Sequence, residues 1–204
     1  MEKTNPWEKL IYHDDYELII AWISLLIKNE VFTPDPSITY TTSMILSHLP
    51  NVQGKSVLDI GCGTWILGIH CLKKWAGSLV FSDVDPKALE NTQENLKNNW
   101  IEEKYTILNS DLFENVPESF DYIFANLPIL NEVFDLKERT ESISLRFLQD
   151  CKDHINPNWK IFLAWWSFAD ITPLIEIIKS FGYTYKIIEE NKLGFVWSLI
   201  EINT

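Results

Sequence analysis

The chain has few basic residues for its length, and this shortage bears on its partners. Lys and Arg total 17 of 204 residues against 29 Asp and Glu, which sets the formal net charge at -12. A protein with a negative electrostatic field repels the phosphate backbones of nucleic acids. The charge balance therefore makes nucleic acid a less favoured partner and favours a protein or a small molecule.

Cysteine and long apolar runs are also scarce. The three cysteines and four histidines follow no metal-ligand spacing, so we expect no metal site, and the odd thiol count is typical of a reduced intracellular setting. Residues 1–6 lack the apolar core of a signal peptide. The apolar run Leu18–Ile27 is shorter than a membrane crossing. We therefore expect a cytoplasmic protein with no membrane partner.

The first fifty residues are predicted to form a helical cap. A helix is expected over Asp14–Asn29, where apolar residues recur at helical spacing. The residues of that face are Leu18, Ile19, Trp22, Ile23, Leu26 and Ile27. Pro34 and Pro36 then restrict the residues before them, and a second helix is expected over Thr41–His48. The sequence thus predicts an N-terminal cap and lid segment over residues 1–50.

Residues 51–204 alternate between apolar runs and amphipathic stretches. Strands are predicted at 56–60, 78–83, 105–109, 120–126, 160–166, 183–189 and 194–201. Helices are predicted at 64–74, 86–98, 137–154 and 171–180. Strands that alternate with helices indicate a parallel sheet covered on both faces, and the short turn at 191–194 indicates a closing hairpin. The expected fold is a three-layer α/β/α domain with a mostly parallel seven-stranded sheet and an antiparallel terminal strand.

The first predicted strand of this domain ends in a glycine turn. The run Val57–Thr64 reads VLDIGCGT, so an apolar strand breaks into Gly61 and Gly63, which tolerate positive φ and let the backbone approach a ligand. About twenty residues later the next apolar run ends at Asp83. This order is the plan of a nucleotide-binding βαβ unit whose acid holds ribose hydroxyls. Asp85, just before a proline, is instead expected to cap a helix.

Four segments in order resemble the motifs of the class I S-adenosylmethionine-dependent methyltransferases, over about residues 53–204. They are VLDIGCGT at 57–64, FSDVDPKAL at 81–89, NSDLF at 109–113 and FDYIFAN at 120–126. Within that class the chain looks like the branch of the methyltransferase small domain and the release-factor glutamine N-methyltransferases. The resemblance implies a Rossmann-like fold and S-adenosylmethionine as the cofactor.

The resemblance also implies a set of cofactor-binding residues at the ends of the first four strands of the domain. They are Asp59, Gly61, Cys62, Gly63, Asp83, Val84, Asp111, Leu112 and Asn126. Asp83 would accept both ribose hydroxyls, an arrangement that a carboxylate suits. Val84 would lie against one face of the adenine, and Asp111 would accept from its amino group. Asp59 would anchor the loop or the ammonium group of the cofactor.

The segment Asn126-Leu127-Pro128-Ile129 resembles the Asn-Pro-Pro-Tyr tetrapeptide of enzymes that methylate planar nitrogens. By this resemblance Asn126, Leu127 and Pro128 are the catalytic residues. The Asn side chain and the following carbonyl accept hydrogen bonds from the target NH₂ and orient it, with little acid–base chemistry. Phe32 and Thr39, in a proline-rich segment like that of the release-factor enzymes, would border the cofactor pocket.

Two departures from the family pattern keep alternatives open. Trp65 stands where the first motif has its third glycine, and Leu127 and Ile129 replace a proline and an aromatic residue. The leading interpretation is an N-methyltransferase that acts on a protein or small-molecule nitrogen, either an amide or, as in the ribosomal-protein enzymes, an amine. The alternatives are a catalytically degenerate scaffold, an RNA N-methyltransferase and, more weakly, an NAD-type enzyme. Trp166 and Ser167, at a strand end, are further candidates for substrate contact.

Overall fold

The computed structural model describes residues 6–129, 140–167 and 169–204. Its strands are β1 (Tyr16–Ile20), β2 (Ile23–Ile27), β3 (Ser56–Ile60), β4 (Ser78–Asp83), β5 (Tyr105–Asn109), β6 (Phe120–Ala125), β7 (Ile155–Trp166), β8 (Thr184–Lys192) and β9 (Phe195–Asn203). Its α-helices are α1 (Thr41–Ser47), α2 (Ile66–Lys73), α3 (Pro86–Asn98), α4 (Thr140–Asp150) and α5 (Thr172–Ser180). Short 3-10 turns occupy Pro6–Leu10 and Cys151–Asp153.

Seven strands form the main sheet in the order β5-β4-β3-β6-β7-β9-β8. The pairs from β5 to β7 are parallel, whereas β9 is antiparallel to both β7 and β8. This topology confirms the predicted sheet and its closing hairpin.

The sheet is covered on both faces, and successive residues of each inner strand enter different cores. Val57 and Phe124 pack in the core that contains α2 and the N-terminal residues, whereas Leu58 and Ile123 pack in the core beneath α4 and α5. Each of these four side chains is fully buried. Strands buried on both faces explain the continuous apolar runs in the sequence.

The helix expected over Asp14–Asn29 is wrong, because this segment forms the antiparallel hairpin of β1 and β2. Ala21 and Trp22 make the turn, and both have positive φ, of 47° and 66°. The predicted helical N-terminal cap is therefore a mixture of a 3-10 turn, a hairpin and one helix. The helix expected at Thr41–His48 is confirmed as α1.

The same apolar residues satisfy a strand period of two as well as a helical period. In β2, buried Ile23, Leu25 and Ile27 alternate with the more exposed Ser24 and Leu26. Periodicity alone does not separate the two structures when the apolar run is this short.

Tertiary contacts favour the hairpin, since helix α3 and the residue that caps its end supply hydrogen bonds to the edge strand β2. Asn91 and Asn95 donate side-chain N–H to the Leu26 carbonyl at 2.9 Å, and Asn95 accepts from the Leu26 N–H at 2.7 Å. Asn99 donates to the Ser24 carbonyl at 2.8 Å. The three buried amides lie one helical turn apart and replace a missing neighbour strand, which satisfies an otherwise open sheet edge.

The structure leaves the predicted domain boundary and parts of two predicted segments untested. The boundary at residue 50 stays a prediction, and Leu10 and Ile27 of the N-terminal segment share a core with Val57 and Phe81. The first residues of the helix predicted at 137–154, together with residues 1–5, lie outside the described residues. Among the described residues, none of the helices combines the length and apolar character needed to cross a bilayer.

Candidate active site

A cavity of about 700 Å³ lies at the carboxyl ends of β3, β4 and β6. The sheet order places β3 between β4 and β6, so the chain moves outward to opposite sides of β3 at this point. A crevice of this kind, where the strand order reverses, is the usual ligand site of an open α/β sheet. The volume is in the range of pockets that hold small molecules and cofactors.

The loop after β3 forms one wall of the cavity. Gly61 and Gly63 have φ of 65° and 53°, a conformation in which a side chain would be strained. The Gly61 and Cys62 N–H groups both donate to the Ser82 carbonyl, at 2.9 and 3.1 Å, and tie the loop to the end of β4. The loop therefore presents bare backbone to the cavity.

Asp83, at the end of β4, binds the backbone of this loop through its carboxylate. Its carboxylate accepts from the Gly63 N–H and the Asp85 N–H, each at 2.9 Å, and the Cys62 thiol lies 3.7 Å away. Burial raises the pKa of Asp83, and these backbone hydrogen bonds oppose the rise. Burial also raises the pKa of the Cys62 thiol well above its usual range, so this sulfur is protonated. Oδ1 accepts only the Asp85 N–H and retains a lone pair for a ligand, whereas Oδ2 accepts from both the Gly63 N–H and the Cys62 thiol.

Asp59 is buried beneath the loop and acts on helix α2. Its Oδ2 accepts from the Gly68 N–H at 3.0 Å, which satisfies one of the free amides in the first turn of the helix. Burial raises the pKa of Asp59 to about 7, the Gly68 hydrogen bond opposes this, and nearby Asp83 adds to the rise. Of the two roles expected for Asp59, the structure contains the anchoring one.

The far end of the cavity is bordered by residues that follow β4 and β5. Val84 is 64% exposed and presents an apolar surface to the cavity. Asp111 and Leu112 line the same region, and Leu112 has a positive φ of 48°. Arg146 of α4 lies 2.5 Å from Asp111 Oδ1. Asp85 also borders the cavity, and its carboxylate caps α3 by accepting from the Lys87 N–H at 2.9 Å, as the sequence predicted.

Asn126 follows β6 and lines the cavity with Leu127, Pro128 and Ile129. Its side chain is half-buried and makes no hydrogen bond to any residue that the structure describes. An amide in this position offers one acceptor oxygen and two N–H donors to a ligand. The segment predicted to be catalytic therefore lies on the wall of the same cavity as Asp83 and Gly61.

Trp65 does not obstruct the cavity. Its indole is fully buried and stacks on Phe81 with ring centroids 4.0 Å apart, and the residue is absent from the cavity wall. Trp166 lines the cavity, whereas Ser167 does not, because its N–H and hydroxyl pair with the Val196 backbone. Phe32 lines it as expected, and its Cβ lies 3.9 Å from the position that a Cβ on Gly63 would take. Thr39 lines it as well.

Sequence reasoning missed several residues of this site. Gly68 binds Asp59 and leaves room for Phe81, whose ring would lie 2.0 Å from a Cβ at that position. Arg146 pairs with Asp111, and Lys87 pairs with Glu30 across the cavity rim. An ion pair between elements distant in sequence leaves no local pattern. The glycine within an apolar helix was the one available signal.

The charge of the cavity wall suits a cationic ligand. The described lining residues include five acids, Glu30, Asp59, Asp83, Asp85 and Asp111, against the single base Lys87. Glu30 pairs with Lys87 and Asp111 with Arg146, so the acids at the ends of β3 and β4 carry the remaining negative character. S-adenosylmethionine carries positive charge on its sulfur and its amino group, together with a planar base and a ribose diol. The acidic wall, the bare glycine loop and the exposed Val84 surface fit these features.

Comparison with known proteins also indicates a methyltransferase. The family model described as "Methyltransferase small domain" matches residues 23–196. A protein of Methanocaldococcus jannaschii, provisionally named a protein N5-glutamine methyltransferase, is 30% identical over 188 residues. That match covers 86% of this chain and 92% of the relative.

Two further matches are named for other methyl acceptors. A ribosomal protein L11 methyltransferase of Carboxydothermus hydrogenoformans is 35% identical over 89 residues, which cover 43% of this chain and 29% of that protein. The solved structure of a 16S rRNA methyltransferase of T. thermophilus, in complex with AdoMet and guanosine, superposes with a TM-score of 0.68 at 20% identity. It covers 93% of this chain and 50% of that one, and at this identity the likeness is one of fold.

Proposed function

This chain belongs to the methyltransferase small domain family and is an S-adenosylmethionine-dependent methyltransferase, and we propose that it methylates the side-chain amide nitrogen of a glutamine in a protein. The fold and the family leave the acceptor open, because one fold serves many acceptors. The choice of acceptor therefore depends on the chemistry of the cavity wall and on the extent of similarity to the relatives.

The placement of Asn126 carries the proposal. Its amide lies on the cavity wall at the end of β6, and within the described residues it has no hydrogen-bond partner. An amide on a cavity wall that no described side chain engages is available to a ligand. The Leu127 carbonyl likewise accepts no hydrogen bond from the described residues. Two acceptors from adjacent residues suit an NH₂ group, which has two hydrogens to donate.

An acceptor held in this way needs orientation more than acid–base catalysis. The lone pair of an amide nitrogen is delocalised, and hydrogen bonds from both N–H groups to Asn126 Oδ1 and the Leu127 carbonyl would aim it in one direction. Pro128 holds the backbone after Leu127, since its ring restricts φ. Such positioning converts a bimolecular reaction into an effectively unimolecular one. The nitrogen would accept the methyl group as the bond between that methyl and the cofactor sulfur breaks, which leaves S-adenosylhomocysteine, and the nitrogen would release one proton to water.

The cofactor residues have separate roles in this proposal. When bound, S-adenosylmethionine supplies a methyl group on a positively charged sulfur. Asp83 would hold a ribose hydroxyl through the free lone pair of Oδ1, and a second hydroxyl would take the place of the Cys62 thiol at Oδ2. The Gly61–Gly63 backbone would contact the methionine part. Asp111 would accept from the adenine amino group with the oxygen that does not contact Arg146, and Val84 and Leu112 would cover the base.

The similarity and the charge both favour a protein amide over the other acceptors. The relative named for protein glutamine is matched over 86% of this chain, whereas the L11 relative is matched over 43%. The net charge of -12 disfavours RNA, whose phosphates require basic residues for binding. The buried position of Trp65 removes one reason for the scaffold alternative, since its indole leaves the cavity clear.

The test is the chemical identity of the methylated product. The purified protein would be incubated with methyl-labelled S-adenosylmethionine and an undermethylated cell extract, and the labelled protein would then be hydrolysed in acid. An N-methylated glutamine releases its label as methylamine, because acid cleaves the amide. Label that stays in methyl-lysine would refute the amide acceptor, and label that ribonuclease removes would refute a protein acceptor.

A variant tests the role of Asn126 in the same assay. Asn126→Ala should lower the labelling rate by about 100-fold or more, because orientation of the acceptor is lost. Cofactor affinity, measured by calorimetric titration, should change little. The control is Asn98→Ala, an exposed amide on α3. An Asn126→Ala variant with the rate of the parent protein would contradict the assignment.

A further inference from the structure

Four of the nine tryptophans have a left-handed backbone conformation. They are Trp22, Trp65, Trp75 and Trp100, with φ of 66°, 72°, 67° and 54°. In the part of the chain that the structure describes, only six other non-glycine residues share this region of φ. Bulky residues avoid it because their Cβ crowds the following carbonyl, and glycine is its usual occupant. Nearly half of the tryptophans therefore stand where glycine is expected.

Two of the four end helices in a motif that glycine normally completes. After α2, the Trp75 N–H donates to the Leu72 carbonyl and the Ala76 N–H to the Cys71 carbonyl, each at 3.0 Å. After α3, the Trp100 and Ile101 N–H groups make the same pair of bonds to Lys97 and Leu96, also at 3.0 Å. This is the Schellman motif, whose left-handed residue is usually glycine.

The third example of this motif in the chain has the expected residue. At the end of α5, the Gly182 N–H donates to the Lys179 carbonyl at 2.9 Å and the Tyr183 N–H to the Ile178 carbonyl at 3.3 Å, and Gly182 has a φ of 76°. Trp75 and Trp100 thus occupy the position that Gly182 occupies in a geometrically equivalent helix end.

The two hairpins allow a second comparison within the chain. The turn between β1 and β2 is Ala21-Trp22, with φ of 47° and 66°. The turn between β8 and β9 is Leu193-Gly194, with φ of 55° and 80°. Two-residue turns with positive φ at both positions strongly prefer glycine second. Trp22 is therefore the counterpart of Gly194.

The fourth left-handed tryptophan, Trp65, follows the glycine loop of the cofactor cavity. Gly61 and Gly63 have positive φ, and Trp65 follows two residues later with the same sign. The indole Nε1 of Trp65 is buried and has no hydrogen-bond partner in the described structure. A buried donor without a partner is unfavourable, so the backbone and the indole N–H of Trp65 are ill suited to this site, although its ring stacks on Phe81.

The other three side chains gain no burial that would offset a strained backbone. Trp22, Trp75 and Trp100 are 98%, 72% and 88% exposed. By contrast, Trp197 is fully buried in a strand, stacks on Trp166 at 4.8 Å and donates its indole N–H to the Lys192 carbonyl at 2.7 Å. The chain therefore contains tryptophans that suit their sites and tryptophans that do not.

We infer that positions 22, 65, 75 and 100 are glycine in the protein made by its source cell. One codon, UGA, is read as tryptophan in some genetic codes and as glycine in others, so a single reassigned codon accounts for all four positions. The cofactor loop of the native protein then has three glycines, at 61, 63 and 65. The apolar surface of the three exposed indoles is absent from that protein and is not a docking site.

The direct test is to identify these residues in the protein from its source cell. Peptides that span positions 22, 75 and 100 would be sequenced by mass spectrometry, and the codons would be read from the gene. Glycine in the peptides and UGA in the gene are expected, with UGG at position 197. Tryptophan in these peptides, or UGG codons at the four positions, would overturn the inference.

Variants test the physical basis with the recombinant chain. Trp75→Gly and Trp100→Gly should each raise the melting temperature by about 2–4 °C, because the strained conformation is relieved. The matched control Trp197→Gly removes a packed indole and should lower it by about 6 °C or more. A melting temperature that falls or stays constant in both helix-end variants would overturn the inference.

Discussion

The buried carboxyl of Asp59 should make this protein less stable as the pH rises from acidic to neutral values. Its pKa of about 7 in the folded protein lies well above the value of 3.8 for an exposed aspartate. Between these two values the folded protein keeps a proton that the unfolded chain has released. The free energy of unfolding therefore falls as pH rises through this window, and the contribution of Asp59 is lost above pH 7.

The size of this effect follows from the difference in pKa. Each unit corresponds to about 1.4 kcal/mol, so Asp59 should lower the free energy of unfolding by about 2–3 kcal/mol between pH 5 and pH 8. Asp59→Asn keeps an oxygen that can accept from the Gly68 N–H but does not ionise. The variant should therefore lose this part of the pH dependence and should exceed the parent protein in stability at pH 8.

Urea unfolding monitored by tryptophan fluorescence, at several pH values from 5 to 8.5, measures the difference. The control is Asp170→Asn, because Asp170 accepts from the Thr172 N–H and its pKa is lowered by that hydrogen bond. A group with a lowered pKa loses its contribution only at acidic pH, so the stability of the control should run parallel to that of the parent protein across this range. Parallel curves for the parent and Asp59→Asn would refute the buried, protonated state of Asp59.

Two further predictions concern the cofactor site and the hairpin. Asp83→Ala should weaken S-adenosylmethionine binding by about 10- to 100-fold in calorimetric titration, because a charge-assisted hydrogen bond is lost, and Asp170→Ala should bind normally; equal affinity in both would exclude the ribose role. Asn95→Ala should lower the free energy of unfolding by about 1–2 kcal/mol, because the part-buried Leu26 N–H loses its partner. The exposed Asn98→Ala on the same helix should change it by less than about 0.5 kcal/mol, and equal effects of the two would argue against the amide ladder.

The seven-stranded sheet was predictable because each inner strand is buried on both faces. A run such as Val57–Ile60 must then be apolar throughout, and the acids and glycines that end such runs stand out against it. For this reason Asp59, Gly61, Gly63, Asp83 and Asn126 could be named before their positions were known. Parallel strands bring their carboxyl ends to one edge, so residues distant in sequence meet in one cavity.

The hairpin of β1 and β2 depended on information outside its own sequence. Residues 18–27 fit a helix and a strand pair almost equally well by apolar spacing. The choice lies with Asn91, Asn95 and Asn99, about seventy residues away, whose amides bind the open edge of β2. No local pattern in residues 14–29 reports on these partners.

The sequence by itself determined the order of strands and helices along residues 51–204, the glycine loop and the acid that ends the next strand, because backbone conformation and burial act through neighbouring residues. Tertiary structure alone decided the direction of the Trp65 indole, the pairing of Asp111 with Arg146 and the raised pKa of Asp59. Each of these depends on which groups meet in space and on how much water remains around them. Those quantities exist only once the chain has folded.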